Sequence, residues 1–404
     1  MRYAKKGPTT KIVRRRNRAT RCRDPRSRRL RFEALESRQL LCIDVTGYVT
    51  VIGLPGGICT APMPVRGALI TMTGADGNAT TCANGSYEVC SPQQAVPGST
   101  VTLTVTAKHM VADDIAYQAR PIDAGASSGL GDVYQKSVVF TIPNGATQPY
   151  ACNIVLNASA GSPDEDLARA FAAFSIAETF SDYARYVGAD LPTINIAYPV
   201  SEAISHGGGT TVWLASAVFD KAGHGGVAAT IGHEFGHCVA SASGFGRVAM
   251  GPKIQIQDSH HWWQTNQRCS YSDAGALTIA DQAVAFEEGW ASYYPVAAAA
   301  AFPAPSLHMP SMDALSKHRY IVGDDNDFFF SLDNYFGHGE DNDVSVTEVF
   351  WHLANDANMR AFCSGGVGLF QDILKNSRIS TLSGLWNKLI PDTTTTAGAL
   401  RRGR

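Results

Sequence analysis

Two histidines four residues apart, with a glutamate directly after the first, stand in Ile231-Gly232-His233-Glu234-Phe235-Gly236-His237-Cys238. Residues i and i+4 of a helix share a face, so both imidazoles can aim at one ion while Glu234 reaches its open side. Neutral imidazole nitrogens suit zinc, which takes them at about 2.0–2.1 Å and keeps one position for water in a catalytic site. The pattern predicts a Zn2+ centre with His233 and His237 as ligands. Glu234 would be the general base for a metal-activated water. The same three side chains in surface ion pairs would be the structural alternative.

Which class of HExxH site this is turns on the third ligand. A metzincin would need Gly at position 240 and His at position 243, and the chain has Ala240 and Ser243, which excludes that class. Downstream lies Ala285-Phe286-Glu287-Glu288-Gly289-Trp290-Ala291-Ser292. This stretch resembles the gluzincins, the thermolysin, fungalysin and aminopeptidase clan, whose ligand opens a Glu-Gly-aromatic-small string.

The resemblance implies Glu288 as the third metal ligand, with Glu287 the competing assignment. Four residues past the ligand the clan often has an acid that hydrogen-bonds a metal-bound histidine and so orients it. Ser292 stands there instead, which leaves Asp281 or Glu287 to supply that contact. The resemblance also implies an oxyanion donor, a His or Tyr several dozen residues past the glutamate and close to the start of a later helix. His338 is the first choice, ahead of the capping box Ser345-Val346-Thr347-Glu348, with Tyr335 and His352 as runners-up. The implied activity is hydrolysis of peptide bonds in a protein or peptide substrate, endopeptidase rather than exopeptidase. The alternatives are a non-catalytic surface or adhesion protein stabilised by zinc on the same fold, and a metal-free remnant of one.

The elements that would position these residues can be read around them. Ser162-Pro163-Asp164-Glu165 is a capping box with Pro at the first helical position, and Leu167, Phe171, Phe174 and Ala177 follow at helical spacing. A long amphipathic helix to about Val187 is expected, and a domain boundary near 159–162. Two strands, Thr193 to Tyr198 and Thr210 to Ala215, precede the metal-site helix, predicted from Val227 to about Ser241. The resemblance implies that the second strand is the edge on which substrate is laid out, a step that main-chain hydrogen bonds can drive, with an ordinary edge strand as the alternative. His206-Gly207-Gly208-Gly209 before it lacks a nucleophile elbow and reads as a flexible turn. Helix, strand, strand, helix marks an α+β domain, and the resemblance implies that it is a gluzincin-like, zincin-type metallopeptidase domain over 159–395. A disordered tail is expected at 396–404.

Residues 43–158 read differently. Short runs rich in Val, Ile and Thr, such as Val45 to Ile52, Ala68 to Met72, Ser86 to Val89, Thr100 to Val105 and Val138 to Thr141, are separated by Gly, Asn, Asp and Pro. Such spacing predicts a small all-β sandwich. Gly47-Tyr48-Val49, Pro64-Val65-Arg66-Gly67-Ala68 and Asn84-Gly85-Ser86-Tyr87 resemble the strand openings of carboxypeptidase regulatory-like modules, which bind or space rather than catalyse. Gly125-Ala126-Ser127-Ser128-Gly129 has neither the preceding strand nor the following helix of a serine hydrolase, so it reads as a loop. The acidic runs Asp324-Asp325-Asn326-Asp327 and Glu340-Asp341-Asn342-Asp343 lack EF-hand spacing and read as solvated loops rather than calcium sites.

The chain of 404 residues has a formal charge of −2, which hides an asymmetry. Residues 1–31 hold 14 of the 34 Lys and Arg against one acid, leaving a body with 20 basic and 35 acidic residues. The head has no aromatic but Tyr3, and the acidic body would repel phosphate, so no nucleic-acid partner is expected. Residues 1–42 instead read as a basic, disordered leader. Within it Leu35, Glu36, Arg38, Leu40 and Leu41 resemble the LEPRxLL sorting signals of bacterial surface and secreted proteins, Ser37 replacing the proline. That resemblance implies an exported protein, secreted or at the cell surface. No run of about 18 apolar residues occurs, so no membrane-spanning helix is predicted. Nine cysteines mildly favour an oxidising compartment; Cys82 and Cys90 flank a turn and could close a hairpin, while Cys269 and Cys363 could pair in the second half. The sequence leaves the substrate's identity and the oligomeric state open.

Overall fold

The computed structural model describes residues 43–55, 61–75, 77–91, 98–111, 114–123, 129–144, 149–201, 205–220, 226–243 and 279–302, with short stretches at 320–321, 329–330, 346–347, 349–351, 353, 379 and 381–389. The expected leader, the tail, both acidic runs and most of the Gly125 to Gly129 string lie outside the described residues. So do Cys269 and Cys363.

The first strand shows why the chain begins as β structure. In β1 (Ile43–Ile52), Val45, Val49 and Val51 are buried while Tyr48 and Ile52 are exposed, the period of two that a strand with one covered face requires. Around it lie β2 (Met63–Pro64), β3 (Leu69–Met72), β4 (Asn78–Thr80), β5 (Ser86–Ser91), β6 (Thr100–Thr106), β7 (Lys108–Val111), β8 (Asp114–Arg120), β9 (Gln135–Thr141), β10 (Tyr150–Ala151) and β11 (Ile154–Asn157). β1 is the centre of one sheet, antiparallel to β5 and β2 and parallel to β10 and β11. A second, antiparallel sheet runs β4-β3-β6-β9. Ile70, Leu103 and Val105 from this sheet and Val45, Val49 and Val51 from the first join one apolar core. The N-terminal region is therefore β-rich, as expected.

The cysteine expectation fails in this region. Cys82, Cys90 and Cys152 are thiols, and Cys82 forms no disulfide with Cys90. Cys82 opens a tight turn in which Ser86 O accepts from its N–H at 2.8 Å. Cys90 lies four residues further along β5, opposite Asp44 of β1. At about 3.3 Å per residue that is some 13 Å of strand, well beyond disulfide reach.

A third sheet carries the mixed α/β region. Its order is β13-β14-β12-β8-β7, where β12 is Ile194–Val200, β13 is His206–Gly208 and β14 is Thr211–Ala215. β8 runs parallel to β12, with Tyr117 opposite Ile194, so this sheet draws two strands from the stretch assigned to the sandwich and crosses the boundary expected at 159–162. The reason is legible in β8: Tyr117, Gln118 and Ala119 are buried in succession. Strands covered on both faces lose the alternation that marks a sandwich strand.

Helix α1 (Glu165–Tyr186) follows. Its start differs from the expected capping box: the Ser162 Oγ accepts from the Asp164 N–H at 3.3 Å, and Glu165 reaches back to the N–H of Gly161 at 2.6 Å. Rather than one apolar stripe, most of the helix is buried, because alanines fill the faces that Phe171, Phe174 and Phe180 leave. It docks on the β-rich region through polar groups. Ser175 Oγ donates to Pro64 O at 2.9 Å and accepts from the Arg66 N–H at 3.0 Å, while the Arg66 guanidinium meets Glu178 at 2.8 Å. Two further helices, α2 (Gly226–Ser243) and α3 (Ile279–Ala301), carry the histidine and glutamate motifs. The described remainder is a strand pair, β15 (Tyr320–Ile321) with β16 (Phe329–Phe330), and α4 (Leu382–Leu389). Among the described residues no helix is long and apolar enough to cross a membrane.

Candidate metal centre

The centre is made where α2 and α3 touch. Val227, Ile231, Phe235 and Val239 bury one side of α2. Close approach to α3 depends on two glycines. A Cβ on Gly232 would fall 2.5 Å from Phe180 and Pro295, and one on Gly236 would fall 3.0 Å from Tyr294 Cβ and 3.1 Å from Ala291 Cα. Without those side chains the helices seat backbone to side chain, locked by a hydrogen bond from Trp290 Nε1 to Gly236 O at 3.1 Å and by Phe235 stacked on Tyr294. Thr347 Oγ1 donates to Gly289 O at 3.1 Å and ties a later segment to the turn of α3 that bears the glutamates.

This contact brings three of the predicted donor atoms together. His233 Nε2 and His237 Nε2 lie 3.2 Å apart, and Glu288 Oε2 lies 3.2 Å from the first and 3.5 Å from the second. Ligands about 2.0–2.1 Å from a tetrahedral ion are about 3.3 Å from one another, so the triangle fits that donor set. The Glu234 carboxylate is within 4.8 Å of both imidazoles, and His233, Glu234 and His237 together can hold a metal ion. Glu288 Oε2 is within 3.5 Å of both imidazole nitrogens, which makes it a third donor atom for the same ion, with Glu234 beside the set. Glu287 points elsewhere: its Oε1 is 3.6 Å from His237 Nδ1.

Electrostatics shows the cluster's appetite for positive charge. Burial by itself disfavours a charged His237, yet Glu288 foremost, then Glu287 and Glu234, outweigh it and hold the imidazole well above its ordinary value. Burial would likewise raise the Glu288 carboxyl, but His237 and His233 pull it well below the ordinary range. Among the described residues, Glu287 and Glu288 pair with imidazoles and with no Lys or Arg. A proton on His237 does in the metal-free protein what a cation would do.

The question left by Ser292 has an answer in the geometry. Its Oγ sits 3.3 Å from His233 Nδ1, the place of the missing acid, while Glu287 addresses the other imidazole. The side chain of Asp281 is outside the description. His338, Tyr335 and His352, the three donor choices, lie outside the described residues.

One element differs from its sequence expectation. His206-Gly207-Gly208 is no flexible turn but strand β13, antiparallel to β14, so β14 is not the sheet edge. The edge beside the centre is β13 itself. A Cβ on Gly207 would lie 2.1 Å from Glu234 O, so this strand runs against the backbone of the turn of α2 that bears Glu234. His206 stacks on Trp213 across the pair, centroids 5.8 Å apart. The usable signal was the glycine run itself, since strands that approach another backbone closely need residues without side chains.

No protein-family model matches the chain, and no curated protein matches it.

Proposed function

We propose that the chain is a zinc-dependent peptidase of gluzincin type, with a zincin-like catalytic region behind the β-rich one. The observation that carries this reading is the triangle of His233 Nε2, His237 Nε2 and Glu288 Oε2, with sides of 3.2, 3.2 and 3.5 Å and Glu234 next to it. Those three atoms would hold a zinc ion, which when bound would supply a Lewis acid able to lower the pKa of a water and polarise a carbonyl. Glu234, beside those ligands, would act as general base, taking a proton from the attacking water and returning it to the leaving amine. Substrate in extended form adds to the outer edge of β13, where Gly207 and Gly208 present main-chain groups without side chains in the way. The leader-like residues 30–41 support action outside the cell.

The test is Glu234→Gln. This variant is expected to bind one zinc per chain and to cleave nothing in a peptide library that the parent digests. Zinc should restore activity removed by a chelator. An unchanged Glu234→Gln enzyme overturns the assigned base. Stoichiometric zinc in the parent with no cleavage of any peptide favours the zinc-stabilised, non-catalytic protein instead.

A further inference from the structure

The metal-site reading treats His233 and His237 as equivalent ligands, but their outer nitrogens face different chemistry. An imidazole that gives Nε2 to an ion carries its proton on Nδ1 and must donate it, and the acceptor it finds fixes the ring and sets its basicity. His233 Nδ1 meets a neutral hydroxyl, Ser292 Oγ at 3.3 Å. His237 Nδ1 meets a carboxylate, Glu287 Oε1 at 3.6 Å. Both acceptors belong to α3 and flank Glu288 at one residue before and four after, so a single rigid helix presents the ligand and both orienting groups. Both are nearly enclosed: Ser292 is buried, and the Glu287 side chain is 12% exposed. A carboxylate so enclosed is strongly felt by the ring beside it, since little water intervenes to screen it.

We propose that Glu287 is the charged positioning residue of the centre and acts through His237, while Ser292 acts through His233 as a neutral one. The inference rests on the zinc-site reading and adds an asymmetry to it: His237 is the stronger donor, and the orienting negative charge sits beside the ligand glutamate instead of at position 292. Neither residue supplies one of the three ligand atoms named above.

The experiment compares zinc affinity, by competition with a chromophoric chelator, in the full chain and in Glu287→Gln, Ser292→Ala and Ser292→Asp. Glu287→Gln keeps the shape and an acceptor oxygen and removes only the charge. It is expected to weaken zinc about 10- to 100-fold. Ser292→Ala should weaken it less, and Ser292→Asp should tighten it. The same series is loaded with Co2+, whose visible absorption reports the ligand field: the band is expected to shift in Glu287→Gln and keep a four-coordinate intensity. A merely structural role would leave that band in place, and the unfolding of the metal-free variants serves as the fold control. Parental zinc affinity and an unshifted band in Glu287→Gln overturn the inference, as does a larger loss in Ser292→Ala. If Glu287→Gln binds no metal while Glu288→Gln still does, Glu287 is a ligand and the inference fails with the assignment. A parent chain that takes up neither zinc nor Co2+ overturns the metal-site reading itself, a result distinct from the others.

Discussion

Two clusters of ionisable groups among the described residues invite comparison, and of the two the one between α2 and α3 has the composition of a metal site. At the junction between α1 and the β-rich region, Arg66 pairs with Glu178 at 2.8 Å and Arg185 pairs with Asp182. His109 lies between them: its Nδ1 donates to Gly67 O at 3.1 Å and its Nε2 accepts from Arg185 at 3.4 Å. Gly67 O can only accept and Arg185 can only donate, so this imidazole is neutral with one tautomer, and burial holds its pKa below the ordinary value. Above about pH 7, where Glu178 is ionised, two cations, two anions and a neutral ring sum to zero. The centre between α2 and α3 brings Glu234, Glu287 and Glu288 around two imidazoles, and the described contacts of the last two glutamates include no Lys or Arg. What separates a structural polar cluster from a metal site is thus the charge left over, not burial or the presence of histidine. Buried charge must be compensated, and where the side chains do not do it an ion can.

Removing a ligand breaks the comparison most severely. His237→Ala should lower zinc affinity by more than about 100-fold, beyond the loss expected from an orienting partner, as read by zinc content after dialysis. His109→Ala should leave zinc content at the parental level, although it too deletes a buried histidine. Loss of zinc in His109→Ala would mean that the two clusters are one coupled system.

Next in size is Arg66→Met. It leaves Glu178 without its cation in a site where both side chains are only 13–14% exposed, which should cost about 3–5 kcal/mol in denaturant unfolding. Zinc stoichiometry should not change. Adding Glu178→Gln to it should recover part of the loss, since the stranded charge is then gone.

These two clusters also differ in how visible they are in the sequence. His233, Glu234 and His237 announce themselves because a helix turns their spacing directly into geometry, and Glu288 follows from a local string on one further helix. The junction has no such spacing. Arg66 comes from the β2–β3 connection, His109 from β7, and Glu178 and Arg185 from α1, and only the docking of α1 brings them together. The same limit hid β7 and β8: strand pairing is a long-range choice, and the run Tyr117 to Ala119, buried on both faces, lacks the alternation that reveals a strand. It also hid β13, because His206 to Gly208 has glycine where strand propensity expects branched side chains. The hydroxyl of Ser292, at the position where the resemblance expects an acid, lies 3.3 Å from His233 Nδ1, a contact that residue type alone does not announce.

The close seam between α2 and α3 gives a smaller, graded test. Gly236→Ala puts a methyl 3.0–3.1 Å from Tyr294 Cβ and Ala291 Cα, so α3 must shift by a few tenths of an ångström or α2 must bend. A cost of about 1–3 kcal/mol is expected from overpacking. Because the shift moves Glu288 relative to both imidazoles, zinc affinity should fall with stability. Gly226→Ala, at the start of α2 with open space around it, should change neither. Weakened stability with full zinc affinity in Gly236→Ala would show that the seam holds the helices but does not position the ligand.

The smallest effect is a slope with pH, and its sign differs between the clusters. At the junction, burial outweighs Arg66 and pushes the Glu178 carboxyl up from 4.5 to about 7. Between those values the folded state keeps a proton that the unfolded chain has released. The stability so gained is fully present below about pH 4.5 and lost as pH rises toward 7, at no more than about 1.4 kcal/mol per pH unit for one proton. Glu288 is held well below its ordinary value by the imidazoles, so its contribution has the opposite sense, present above that value and lost as pH falls. Glu178→Gln should therefore remove a decline in stability between pH 4.5 and 7, measured by denaturant unfolding of the metal-free protein. If the slope survives the substitution, Glu178 is ionised throughout that range, and the junction holds its charges as firmly as the metal centre does.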